Sequence, residues 1–203
     1  MKPNFDARRC ALLIVDLQHD FLAPDGAYAR GGVVSQVARE LPARIAPLAS
    51  ALKGAGGMVL ASRFTLWPDA QGEPMVAPQL RLLRPFLRRG DFQYGTRGHA
   101  VVDALQPLVD VALDKVAYSA FFNTQADWLL RHAGIDHVVV GGIVTNGGVA
   151  STVRDAHVRE YRVSVLADGC AAFDTHWHDT ALADMRSVAQ VLNCDELAAL
   201  LQP

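Results

Sequence analysis

This 203-residue sequence predicts an α/β fold: three α/β/α layers around a doubly wound, six-stranded, mostly parallel sheet. Three observations predict it. Short apolar runs recur along the chain, each followed by a loop and a stretch of helical periodicity, the alternation that builds a parallel sheet with helices on both faces. The first run, Ala11–Leu17 (ALLIVDL), is apolar at consecutive rather than alternate positions, as a strand covered on both faces requires. Apolar residues make up 51% of the chain and charged residues 20%, which supplies one sizeable core.

The elements follow in order. Ala11–Leu17 is the first strand and carries Asp16 near its end. The stretch from Ser35 to Lys53 has helical periodicity but contains Pro42 and Pro47, so at least one break or kink is expected. Met58–Ser62 (MVLAS) follows a glycine-rich turn and is the second strand. From Trp67 to His99 prolines and glycines replace periodicity, the mark of a long surface excursion of the kind that forms lids and binding loops. Val111–Leu113 is the third strand and leads into Asp114 and Lys115. Val138–Gly142, Val163–Ala167 and Ala189–Leu192 complete the six. Helical patterns cover Thr124–His132, Asn146–Arg159 and Thr175–Ser187. With no repeat and no composition break, residues 1–203 are expected to form one domain.

Composition narrows the function. A formal net charge of −2 offers no electrostatic reason to bind nucleic acid or an anionic membrane. Residues Met1 to Arg9 are polar, the apolar run after them is too short for a signal segment, and no stretch reaches the length of a membrane span. The three cysteines, Cys10, Cys170 and Cys194, are far apart, which argues against a disulfide framework or thiolate metal site and for a reducing cytoplasm. Of the seven histidines none lies between Asp20 and Gly98, and His176 and His178 stand two apart on an expected solvent-facing helix start. Neither metal nor cofactor is expected.

In an open parallel sheet, ligands bind beyond the carboxyl ends of the strands. That rule selects Asp16, Arg63, Lys115 and the segment Ile143–Gly148. An ionisable side chain closing an apolar strand is costly to desolvate unless it is paired or used. Asp16 either caps a loop or serves chemistry, and Lys115 is either a surface lysine or its buried partner. Together the two would shift each other's titration. The segment Gly141–Gly148 (GGIVTNGG) is no Walker loop, because Gly148 stands where lysine is needed, and it is no dinucleotide fingerprint. It is a tight turn opening a helix, a place for an anion or a developing oxyanion. Trp67, Tyr118, Phe121 and Phe122 could line an apolar pocket for a small planar substrate, although core packing explains some of them equally well.

Several ordered segments resemble the isochorismatase-like hydrolases, the cysteine hydrolase family, over nearly the whole chain: Leu12–Phe21 (LLIVDLQHDF), Gly95–Leu105 (GTRGHAVVDAL), Lys115–Thr124 (KVAYSAFFNT), Gly134–Ala156 and Val165–Asp174 (VLADGCAAFD). In amidases of that family an aspartate, a lysine and a cysteine form a catalytic triad. The resemblance implies Asp16 and Lys115 as two members. The cysteine position falls at Gly148, in Thr145-Asn146-Gly147-Gly148-Val149, and glycine carries no nucleophile. The resemblance also implies substrate binding by Gln18, Phe21, Trp67, Tyr118, Phe122 and the loop Val144, Thr145, Asn146 and Gly147, with a cis peptide bond expected at Val144–Thr145. Isochorismatases in the family likewise lack the cysteine and cleave a vinyl ether, the aspartate protonating carbon before water attacks. A homodimer or homotetramer is implied as well. The expected function is acid–base hydrolysis of a small carboxylated or vinyl-ether substrate. The alternatives are a cysteine-type amidase whose nucleophile is replaced, and a non-catalytic small-molecule binder.

Overall fold

A computed structural model describes residues 5–202. Strand β1 (Cys10–Val15) is buried at every position and sends alternate side chains to opposite faces. Leu12 and Ile14 pack into one core with helix α3 (Gln36–Gly54) and helix α8 (Cys194–Leu200). Ala11, Leu13 and Val15 pack into a second core with α5 (Ala126–His132) and α6 (Ala150–Val158). One strand thus belongs to both cores, which is why its sequence is apolar without alternation.

All six strands form one parallel sheet in the order β3-β2-β1-β4-β5-β6. The others are β2 (Met58–Phe64), β3 (Val111–Lys115), β4 (His137–Ile143), β5 (Arg162–Ala171) and β6 (Gln190–Leu192). The chain winds outward from β1 to β3, then returns to β4 on the other side of β1. The β1/β4 boundary is therefore the topological switch point, where the connections leave to opposite faces and open a crevice. At the boundary the two backbones pass so closely that a Cβ on Gly142 would lie 2.1 Å from the Val15 carbonyl oxygen, and Gly142 takes φ +117°. Only glycine fits there.

Several elements depart from expectation. Strands β2 to β5 outrun their apolar cores, because main-chain pairing does not require apolar side chains. Arg63 and Asp114, opposite each other in register, extend the β2–β3 ladder with an ion pair at 2.8 Å. The proline-bearing segment forms one continuous helix, α3, instead of breaking at Pro42 or Pro47. Its buried face of Ala38, Leu41, Pro42, Ile45, Leu48, Ala49 and Leu52 outweighs two missing hydrogen bonds. Asn146–Arg159 divides into a π-helical turn, Thr145–Val149, followed by α6. The first two helices, α1 (His19–Leu22) and α2 (Ala27–Arg30), are too short to show a period, as is α4 (Pro78–Leu83) inside the excursion. The excursion has a small core of its own around Tyr28, Leu66, Leu87 and Phe92. Buried Asp20 ties it down, accepting from the backbone amides of Phe92 at 2.6 Å and Ala27 at 3.1 Å.

Candidate active site

At the switch point the chain leaves β1 through Asp16, which takes φ +57°, a left-handed conformation uncommon for a residue with a side chain. The bend turns the carboxylate back across the ends of the neighbouring strands. Ser62 Oγ, from β2, donates to Asp16 Oδ1 at 2.9 Å, and Lys115 Nζ, from the end of β3, donates to Oδ2 at 2.7 Å. Lys115 also donates to the Ala117 carbonyl at 2.9 Å. Both members of the pair are buried, with Asp16 5% and Lys115 2% exposed. Burial raises the pKa of Asp16 above the usual carboxylate range, and the Lys115 charge and hydrogen bond only partly oppose it.

From the other side, the π-helical turn after β4 brings Gly148 against the carboxylate. A Cβ at Gly148 would stand 3.4 Å from Asp16 Oδ2, 3.0 Å from Val15 Cγ1 and 3.1 Å from the Ile143 carbonyl oxygen. The one cis bond among the described residues is Ile143–Val144, one peptide earlier than expected. The reversal falls there because Ile143 still pairs with Ala171 in the sheet, whereas the Val144 carbonyl already accepts from Gly147 and Val149. The first amides of such a turn have no carbonyl one turn back to bond.

The remaining expected residues divide. Thr145 is buried, and its hydroxyl bonds His178 Nδ1 of α7 (Thr175–Met185) at 2.8 Å, so His178 is not the free surface group expected at that helix start. Asn146 is exposed at the mouth of the turn, while Val144 and Gly147 are half-buried. Tyr118 stands over the turn, 3.5 Å from where a Gly147 Cβ would be. Gln18 corrects its expected role. Its amide donates to the Phe64 and His99 carbonyls at 3.0 and 2.8 Å and accepts from the Phe64 amide at 2.7 Å, so main chain occupies it fully. Phe21 packs among aromatic rings, 4.5 Å from Tyr28 and 4.6 Å from Phe92 between centroids. Trp67 stacks on Tyr94 at 5.9 Å, Phe122 is exposed, and Phe121 is buried in the second core rather than lining a pocket.

Other residues at the site gave no signal in the sequence. Tyr28 stacks on Phe173, just beyond β5, at 5.2 Å, and its hydroxyl accepts from Arg84 Nε at 3.0 Å. Burial raises the Tyr28 pKa. Arg84 opposes this, while Tyr118 and the Asp16 carboxylate add to it. The Phe64 ring lies 5.9 Å from Lys115 Nζ. Ser62 had only its position at the end of an apolar run to mark it. Tyr28 and Arg84 sit on short helices where no periodicity accumulates.

Comparison with known proteins agrees with this fold. The family described as Isochorismatase domain matches residues 10–196. The ureidoacrylate amidohydrolase RutB of Serratia proteamaculans (strain 568) is 35% identical over 180 residues, covering 81% of this chain and 70% of that protein. Among solved structures, a cysteine hydrolase from Pseudomonas syringae pv. phaseolicola 1448A superposes with TM-score 0.82 at 27% identity, covering 98% of this chain and 94% of that one. The N-carbamoylsarcosine amidase from Thermoplasma acidophilum gives TM-score 0.72 at 28% identity, with 93% and 98% coverage.

Proposed function

The chain belongs to the isochorismatase family and is a hydrolase, and from that premise we propose that it cleaves a small carboxylated or vinyl-ether substrate by acid–base chemistry at Asp16 and Lys115, without a covalent intermediate. The observation that carries this reading is Gly148. The carboxylate, its lysine and the turn are assembled, and the position facing Asp16 Oδ2 holds no nucleophilic atom. Attack therefore falls to water.

For a vinyl ether the steps balance simply. Protonated Asp16 gives its proton to the enol ether carbon, leaving an oxocarbenium ion. Water adds to that ion and loses a proton, and the resulting hemiketal collapses to a carbonyl compound and an alcohol. Asp16 regains its proton from the attacking water. Lys115 positions the Asp16 carboxyl group and stabilises the carboxylate formed once the proton has left. The raised pKa of Asp16 suits an acid, because burial outweighs the lysine beside it.

A second reading is C–N hydrolysis, favoured by the names of two of the relatives above, an amidohydrolase and an amidase. Asp16 would then deprotonate water for attack on a carbamoyl or amide carbon. Asp16→Asn tests the assignment common to both. Turnover on a panel of vinyl ethers and small ureides should fall by about 10²–10⁴, and retained activity would exclude Asp16 as the acid–base group. Wild-type turnover separates the two: ammonia release from small amides or ureides supports C–N hydrolysis, and turnover of vinyl ethers alone supports the first reading. Gly148→Cys, assayed by ammonia release from small amides, tests a replaced amidase nucleophile, which a gain supports and no gain on any amide counts against.

A further inference from the structure

We propose that Arg84 and Tyr28 form a carboxylate-binding subsite beside the Asp16–Lys115 pair, so that the substrate is a small acid held by a guanidinium and a phenol while its scissile bond lies over Gly148; this rests on the hydrolase reading above. Arg84 closes helix α4 within the excursion and is half-buried. Its Nε donates to the Tyr28 hydroxyl at 3.0 Å and its Nη1 to the Leu83 carbonyl at 2.9 Å. Among the described residues no carboxylate lies within ion-pair distance of Arg84. Arg30 pairs with Asp91, Arg63 with Asp114, Arg89 with Glu73 and Arg97 with Asp103, whereas Arg39, Arg81 and Arg88 share with Arg84 the lack of a carboxylate partner among the described residues. Arg81, one turn earlier, gives its guanidinium to the Leu87 and Pro74 carbonyls. A partly desolvated guanidinium with no counter-charge is unfavourable unless an anion completes it.

The geometry supplies what an anion needs. A phenol that accepts from Nε still has its own O–H to donate, so Arg84 and Tyr28 together present a fork of donors that suits a carboxylate. Tyr28 is held rigidly, stacked on Phe173 and packed on Phe21, and the aromatic cluster continues to the pair: Phe21 lies 6.4 Å from Phe64, whose ring is 5.9 Å from Lys115 Nζ. Of the arginines without an ion pair, Arg84 alone donates to a phenol, and that phenol is stacked on Phe173 just beyond β5.

Calorimetric binding of two matched pairs tests this: 3-ureidopropionate against its primary amide, and benzoate against benzamide. The wild-type protein should bind at least one acid about tenfold more tightly than its amide. Arg84→Gln should erase that preference with amide binding unchanged. Tyr28→Phe should weaken the acid several-fold, and Arg84→Lys should keep part of the preference. The proposal is overturned if the wild type shows no preference or binds neither acid, or if a folded Arg84→Gln protein keeps its preference. Should Arg84→Gln fail to fold, Tyr28→Phe and Arg84→Lys decide it, because equal loss of acid and amide overturns the proposal. Asp16→Asn should retain the acid preference while losing turnover, so failure of the subsite and failure of the hydrolase reading are read separately.

Discussion

Gly148 is the residue on which the proposed chemistry turns, and its surroundings state what a side chain would cost there. Its φ lies outside the left-handed region, so nothing in the backbone demands glycine, but a Cβ would press on Val15 and the Ile143 carbonyl at 3.0 and 3.1 Å. Gly148→Ala should therefore lower stability by about 1 kcal/mol in chemical denaturation, and should slow turnover by filling the space beside Asp16 Oδ2. The pH profile reports the role of Asp16. Its pKa is raised by burial, so a general acid is competent below that pKa and loses activity as pH rises through it. A general base gains activity over the same interval, so the sign of the kcat limb distinguishes C–O from C–N hydrolysis. The cysteines lie outside this chemistry. Burial pushes Cys10 and Cys194 up to about 12 and Cys170 higher still. None of the three should react readily with a thiol reagent until the protein unfolds, when all three should titrate. Asp16 and Lys115 were legible from the sequence, because strand ends are marked by an abrupt change from apolar to ionisable residues, whereas Gly148 was marked as a nucleophile position only by the resemblance to the family. Ser62, Tyr28 and Arg84 carry no such mark.

At the scale of the element, α3 is the clearest case of packing overriding local preference. Pro42 faces the core, but Pro47 is exposed, where it costs a hydrogen bond and contributes no burial. Pro47→Ala should stabilise the protein by about 1–3 kcal/mol, seen as a higher denaturation midpoint. No change would mean that Pro47 gains as much by restricting the unfolded chain. The fold's strands were legible as apolar runs but their ends were not. Arg63, Asp114 and Lys115 continue the ladder as polar residues, and hydropathy cannot report a backbone hydrogen bond. The C-terminal helix α8 went unread, although the reciprocal capping of Asn193 and Glu196 is a signal present in the sequence.

Across the whole molecule, acid sensitivity is centred at the opposite end of the sheet from the site. His137, at the start of β4, is buried. Its Nε2 bonds Ser164 at 2.8 Å and its Nδ1 has no partner. Burial, with a smaller contribution from the Arg162 charge, lowers its pKa from 6.5 to about 4. The unfolded chain protonates this group as pH falls below 6.5, whereas the folded protein resists until about 4, so stability is lost across that interval and levels off below it. The loss should approach about 3 kcal/mol, and His137→Phe should flatten it in denaturation curves measured between pH 7 and 4. We also propose that the chain assembles as a homodimer or homotetramer, to be read by light scattering; a monomer at micromolar concentration would exclude it. No helix among the described residues is long and apolar enough to cross a membrane.

The sequence by itself determined the alternation of strand and helix, the doubly buried first strand, and the ionisable residues at the ends of β1 and β3. These are local properties, carried by period and by changes of polarity within a few residues. Tertiary structure decided that β4 returns beside β1, so that Gly148 faces Asp16 across a crevice. It decided that Ser62 completes the carboxylate, that Gln18 belongs to the frame, and that Arg84 of the long excursion donates to the Tyr28 hydroxyl of α2. Strand order depends on which sheet face each helix must cover and on the handedness of every crossover. Neither condition is written in any one segment, so the pairings appear only when the whole chain packs.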